Sequence, residues 1–91
     1  MAIVTKVMHS DPGHAWLAVK LDEIKMLGIQ TDISSYSYVK GKTAYLEEDC
    51  DAGKFIEAMR TKGIDVTVKQ GAVRDRSPIR YFKSYKAELV K

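Results

Sequence analysis

The sequence IVTKVMHSDPGHAWLAV, residues 3–19, determines how the fold begins, because it contains a strand, a turn and a second strand. Apolar and polar side chains alternate loosely through residues 3–8, as in a half-buried strand. Asp11-Pro12-Gly13 predicts a turn, since proline presets φ and glycine readily adopts positive φ. Residues 15–19 then return as a second strand, with Trp16 as its largest side chain.

A short helix and a second hairpin are predicted next. Apolar residues recur at helical spacing between residues 21 and 27, and Gly28 is a typical helix end. Residues 35–39 and 42–46 are strand-like, and Lys40-Gly41 between them indicates a tight turn.

The second half of the chain is predicted to hold one more helix and one more strand. The helix covers residues 52–62, with Asp51 as its N-cap and Gly63 after its end. Residues 64–68 alternate apolar and polar side chains, which indicates a fifth strand. Residues 70–76 are predicted to form a loop, and residues 79–85 either extended chain or a short helical turn.

These elements predict an α+β fold with the order ββαββαβ and a basic C-terminal tail. Hairpins separated by helices favour an antiparallel sheet, here of about five strands, with the two helices on one face. Ninety-one residues are expected to form one domain, residues 1–91, with residues 69–91 as its basic C-terminal segment.

Composition excludes several classes of protein. The chain is 45% hydrophobic, which is too apolar for global disorder, and it has no apolar run near the length of a membrane span. Residues 1–7 are too short and too mixed for a secretory leader. Cys50 is the single cysteine and has no partner for an internal disulfide, so we expect a cytoplasmic protein.

Positive charge is concentrated at the C-terminus. Residues 69–91 carry a balance of +5, whereas residues 1–68 carry −2. Guanidinium and ammonium groups beside aromatic rings suit an anionic polymer with flat bases. The predicted binding residues are Lys69, Arg74, Arg76, Arg80, Tyr81, Lys83 and Lys86. The alternative is a solvated surface on which Ile79 and Phe82 cap the core.

Four residues in two short segments are candidates for a metal site and a small metal-dependent enzyme: His9, Asp11, His14 and Cys50. Their spacing matches no standard zinc pattern, so a turn with flanking histidines is favoured. We therefore expect no metal and no cofactor.

The acidic run at residues 47–51 fits the start of a helix, where carboxylates are favoured. Its acids should raise the pKa of the Cys50 thiol, which argues for a small core residue rather than a nucleophile. Tyr36, Tyr38 and Tyr45 form either a stacking platform or part of the core. No phosphate loop, nucleophile elbow or dinucleotide fingerprint is present, so no enzyme activity is expected.

Five segments together resemble a family of small phage-encoded and prophage-encoded proteins: HSDPGHAW (9–16), LGI (27–29), ISSYSY (33–38), YLEEDCD (45–51) and SPIR (77–80). The resemblance extends from about residue 9 to residue 81. Small phage proteins of this kind include anti-CRISPR proteins directed against type I complexes, among them the I-F class. The resemblance implies a non-enzymatic inhibitor in the cytoplasm of the bacterial host.

Such an inhibitor is expected to bind a multi-subunit, RNA-guided surveillance complex on a surface of protein and guide RNA, and to block target DNA recognition. No membrane and no small-molecule substrate are implied. The competing hypothesis is a general RNA-binding or DNA-binding accessory protein of a phage, which the same charge asymmetry would serve.

Overall fold

The computed structural model describes residues 2–73, 75 and 77–90, and only the backbone at residue 72. Its elements are β1 (Ala2–Ser10), β2 (Ala15–Lys20), α1 (Leu21–Leu27), β3 (Tyr38–Lys40), β4 (Thr43–Glu47), α2 (Ala52–Thr61), β5 (Ile64–Val73), a 3-10 helix (Pro78–Tyr81), β6 (Lys83–Ser84) and a second 3-10 helix (Ala87–Leu89). The predicted α+β architecture with two helices is confirmed.

The sheet is mixed and six-stranded, with the order β5-β1-β2-β4-β3-β6. The expectation of about five antiparallel strands is therefore correct only in part. β5 pairs with β1 in parallel, because the chain reaches β5 through α2 rather than through a hairpin. The sixth strand, β6, comes from the C-terminal tail and pairs with β3.

Two segments differ from their predicted bounds. β5 continues to Val73, so most of the predicted loop at residues 70–76 is strand. The predicted strand at residues 35–39 begins only at Tyr38. The hydroxyl of Ser37 donates to Asp51 and accepts a hydrogen bond from the backbone N–H of Glu47, which holds the preceding residues in a turn.

The helices cover one face of the sheet and enclose the main core. Leu17 of β2 and Leu46 of β4 point towards Phe55 of α2, and all three are fully buried. Burying a side chain of this size contributes about 1.5–3 kcal/mol. Gly28 ends α1 with φ of 70°, in the left-handed region that favours glycine. No helix in the described parts of the chain has the length and apolar character that a membrane span requires.

The opposite face of the sheet carries aromatic side chains and is crossed by the C-terminal segment. We call it the tail face. Trp16 is only 2% exposed but lies outside the main core. The residues opposite it, His9 on β1 and Glu47 on β4, lie on the same face of the sheet. Residues 77–82 pass over this face before β6 forms at its edge. The tail also returns to the main core, since Tyr85 and Val90 are buried there.

Candidate nucleic-acid interface on the tail face

The C-terminal segment is fixed to the first hairpin turn by Asp11. Arg80 donates to this carboxylate at two points, with Nε–Oδ2 at 2.6 Å and Nη2–Oδ1 at 2.8 Å. The backbone N–H of Ser77 donates to Oδ2 at 2.9 Å. These donors, Arg80 foremost, hold the pKa of the Asp11 carboxyl well below its usual range. Asp11 therefore links the first turn to two tail residues, which lie 66 and 69 positions later in the sequence.

Arg80 has an aromatic contact as well as an ionic one. Its guanidinium carbon lies 5.4 Å from the centre of the Trp16 ring, within the range of a cation–π contact. Its side chain is 30% exposed. Of the predicted binding residues, Arg80 is thus engaged within the protein, with part of its side chain at the surface.

The other predicted binding residues lie at different places. Lys83 and Lys86 are exposed at the edge formed by β6 and its C-terminal continuation, and Tyr81 is 72% exposed just before it. Lys69 is exposed on β5, the opposite edge strand, five strand spacings or about 24 Å away. Arg74 and Arg76 lie outside the described residues.

Two lysines that sequence reasoning missed lie on the strand next to β6 and in the turn that follows that strand. β3 pairs with β6, so Lys40 on β3 and Lys42 in the turn after it belong to the same edge. The ammonium of Lys40 lies 4.9 Å from the centre of the Phe82 ring. We call Lys40, Lys42, Lys83 and Lys86 the lysine edge. Their sequence separation hid this grouping, because only the β3–β6 pairing brings the two pairs together.

An aromatic and acidic pocket of about 260 Å³ lies next to Arg80 on the tail face. It is lined by His14, Trp16, Tyr36, Tyr38, Glu47, Asp49, Cys50 and Arg80. Trp16 and Tyr38 meet edge to face, with ring centres 6.3 Å apart. The three predicted tyrosines thus divide: Tyr36 and Tyr38 line the pocket, and Tyr45 packs on Phe82 at 5.2 Å.

Glu47 is the buried carboxylate of this pocket, at 5% exposure. Its Oε1 accepts from the backbone N–H groups of Asp49 at 2.8 Å and Cys50 at 2.9 Å. Its Oε2 lies 3.3 Å from Nδ1 of His14. These contacts fix the carboxylate in place, so the pocket has a rigid acceptor beside its aromatic walls.

Asp51 holds the loop that carries Tyr36. Ser34 donates to it from its backbone N–H at 3.0 Å and from its hydroxyl at 2.7 Å, and Ser37 donates from its hydroxyl. Asp51 is the N-cap residue of α2, as predicted, but its side chain makes no cap hydrogen bond. The carboxylate is used instead to shape one wall of the pocket.

The four residues considered for a metal site are not assembled into one. Asp11 is paired with Arg80, His14 with Glu47, and His9 packs edge-on against Tyr45 at 6.0 Å. Glu47, Glu48 and Asp49 do place carboxylate oxygens within 4.8 Å of one another, but two of the three residues are exposed acids at a helix start.

Cys50 differs from its prediction in one respect. It is exposed and lines the pocket, so its assignment as a core residue is wrong; Ala52 and Phe55 take the buried positions instead. The predicted direction of its pKa is confirmed. Partial desolvation of the sulfur, and then the carboxylate of Glu47, raise the pKa of the thiol. A thiol in this state is a poor nucleophile.

No protein-family model, curated protein or solved structure matches this chain.

Proposed function

We propose that the protein is a non-enzymatic anti-CRISPR inhibitor of phage origin, which acts in the cytoplasm of the bacterial host. Its target is an RNA-guided type I surveillance complex, bound on a surface of protein and guide RNA so that target DNA is not recognised. The observation that carries the nucleic-acid part of this proposal is the row of exposed lysines along the β3–β6 edge of the sheet, with Lys40 on the tail face and Lys83 opposite Val39 on the helix side. The phage and type I parts rest on the sequence resemblance.

Order in the tail supports binding, because cations that are already positioned lose little conformational freedom when a partner arrives. The ion pair between Asp11 and Arg80 holds the tail across the sheet, and Tyr85 anchors it in the core. Lys83 and Lys86 are exposed on the same segment, close to these two anchors. Lysine ammonium groups bind phosphates as point charges and do not select a base sequence.

The pocket chemistry favours binding over catalysis. The pKa of the Cys50 thiol is raised, and the Asp11 carboxylate is committed to Arg80. His14 has its Nδ1 on Glu47. A carboxylate on Nδ1 orients a histidine as a base, but the described residues of the pocket offer it no activated nucleophile, because the pKa of the Cys50 thiol is raised.

The lysine edge can be tested with two double variants of equal charge. Lys83→Gln with Lys86→Gln should weaken association with an assembled type I complex. It should also lower the slope of log affinity against log salt by about two, one for each phosphate that is no longer neutralised. The control is Lys25→Gln with Lys62→Gln, which removes two exposed lysines near the ends of the helices.

Equal behaviour of the two double variants would contradict the assignment of the lysine edge. Binding of the wild-type chain to naked RNA and to the complex with the same salt slope would favour the alternative, a general nucleic-acid-binding phage protein. That alternative needs only the lysine edge and no surface on the protein subunits.

A further inference from the structure

The pocket around Trp16 has a mixed hydrogen-bonding character. Glu47 and Asp49 supply carboxylate acceptors, while the guanidinium of Arg80 supplies N–H donors. The charge of Arg80 is balanced by Asp11. The indole Nε1 of Trp16 is a buried donor with no hydrogen-bond partner among the described residues. A ligand that satisfies such a wall must offer both donors and acceptors.

The walls of the pocket are flat and aromatic. Trp16 and Tyr38 are held edge to face, and Tyr36 stands at the rim with 69% of its surface exposed. Tyr36 is positioned by its backbone N–H, which donates to Ser34, and Ser34 is itself fixed by Asp51. Tyr36 is therefore an exposed aromatic ring on a fixed frame, which suits stacking with a planar ligand.

Phosphate groups do not suit the pocket itself, because Glu47 is buried there and Asp49 lies beside it. Phosphate groups do suit the surface next to the pocket. Lys40 follows Tyr38 by two residues on β3, so it lies on the same face, about 7 Å along the strand. A nucleotide can therefore place its base in the pocket and its phosphate at Lys40.

We propose that this pocket binds an unstacked guanine base of single-stranded RNA. Guanine presents N1–H and N2–H donors on one edge and O6 and N7 acceptors on the other. The donors match the carboxylates of Glu47 and Asp49, and the acceptors match Arg80. Adenine lacks the paired donors on that edge. The inference rests on the proposed function, because it names the RNA contact of the same partner.

The probe is guanosine 5′-monophosphate, followed by the NMR signal of the indole N–H. Trp16 is the single tryptophan of the chain, so this signal reports directly on the pocket. We expect saturable shifts with guanosine monophosphate. Inosine monophosphate lacks only the N2 amine and should bind about tenfold more weakly, the value of one hydrogen bond to a charged acceptor.

Two exposed pocket residues give variants that should keep the fold. Tyr36→Ala and Asp49→Ala are each expected to weaken the binding of guanosine monophosphate by about tenfold, because the first removes a stacking ring and the second an acceptor. Glu57→Ala is the control, because it removes an exposed acid from α2, on the helix side of the sheet. Near-ultraviolet circular dichroism confirms that each variant is folded.

Equal binding of adenosine and guanosine monophosphates would overturn the assignment of guanine. Stronger binding of argininamide than of guanosine monophosphate would also overturn it, because the pocket would then be a receptor for a cationic side chain. Absence of any saturable shift would also overturn it. If the chain still associates with a type I complex in those cases, only this inference fails; if neither interaction is found, the proposed function fails too.

Discussion

Asp11 and Arg80 form a two-point ion pair at 2.6 and 2.8 Å although they lie 69 residues apart. The carboxylate lies in the first hairpin turn and the guanidinium in the C-terminal segment. The pair holds the basic C-terminal segment in an ordered position across the tail face. It also sets Arg80 over Trp16, at the pocket.

The first prediction is that this pair makes the fold sensitive to acid. The pKa of Asp11 in the folded state lies well below its unfolded value of about 4. Its contribution to stability is therefore present above about pH 4 and is lost as the pH falls towards the folded value. In Asp11→Asn, urea unfolding should show lower stability at neutral pH and a smaller loss between about pH 5 and pH 2.

Asp65→Asn serves as the control for Asp11, since Asp65 is exposed on the edge strand β5. It should leave the acid sensitivity of the wild-type protein unchanged. An Asp11→Asn variant with wild-type stability at neutral pH would show that the pair does not hold the tail.

A second prediction concerns Gly71, where β5 passes close to β1. A Cβ at this position would lie 2.9 Å from Cγ1 of Val7 and 3.3 Å from Nδ1 of His9. Gly71→Ala should therefore lower the free energy of unfolding by about 1–3 kcal/mol through overpacking. Chemical denaturation of the purified variant measures this difference.

Gly53 supplies the opposite case, because it lies in α2 and a Cβ added there would meet no atom within 4 Å. Gly53→Ala is expected to raise the free energy of unfolding by about 0.5–1 kcal/mol, from helix propensity and a less flexible unfolded chain. If both alanines had the same effect, the close approach of β5 to β1 at Gly71 would be refuted.

The third prediction uses Tyr85, which joins the tail to the core. Its hydroxyl donates to the backbone carbonyl of Gln30 at 2.6 Å. Burial, and then the charge of Asp51, raise the pKa of Tyr85 to about 12, against an ordinary value of about 10. The unfolded chain therefore ionises first, and stability that is fully present below about pH 10 is lost as the pH rises towards about 12.

Tyr85→Phe should cost about 1 kcal/mol at neutral pH, because the hydrogen bond to Gln30 can no longer form. The difference from wild type should then shrink above about pH 10, because phenylalanine cannot ionise. Urea unfolding at stepwise alkaline pH measures both effects. A difference that stays constant through this range would argue against the raised pKa of Tyr85.

The fourth prediction concerns Asp51, which is fully buried and accepts from Ser34 and Ser37. Asp51→Ala leaves those donors without an acceptor and should cost roughly 3 kcal/mol of stability. Asp32→Ala changes an exposed acid in the preceding loop and should stay within about 0.5 kcal/mol of wild type. Similar losses in the two variants would mean that the serine network contributes little.

Local features of the fold can be predicted from the sequence, because neighbouring residues determine them. Gly28 after an apolar helical repeat marks a helix end, and its φ of 70° is the left-handed conformation expected there. The apolar residues at 15–19 likewise predict β2 to within one residue. The parallel β1–β5 pairing and the short β6 are not predictable in this way, because partners distant in sequence determine them.

The candidate site is predictable only in fragments. The sequence marks Asp11 as a turn residue and Arg80 as a phosphate contact, but nothing local in either segment indicates that they pair. The grouping of Lys40 with Lys83 depends on the same kind of long-range pairing. Cys50 is wrongly predicted as a core residue because a helix start offers several inward positions, and the sequence does not say which residue takes them.

The proposed function requires that this chain bind an assembled ribonucleoprotein much more tightly than free RNA. Size-exclusion chromatography tests it most directly, with the purified chain mixed either with an assembled RNA-guided type I complex or with its guide RNA alone. We expect the chain to co-elute with the complex and to migrate separately from the free RNA. Co-elution with neither, or equal co-elution with both that disappears at high salt, would contradict it.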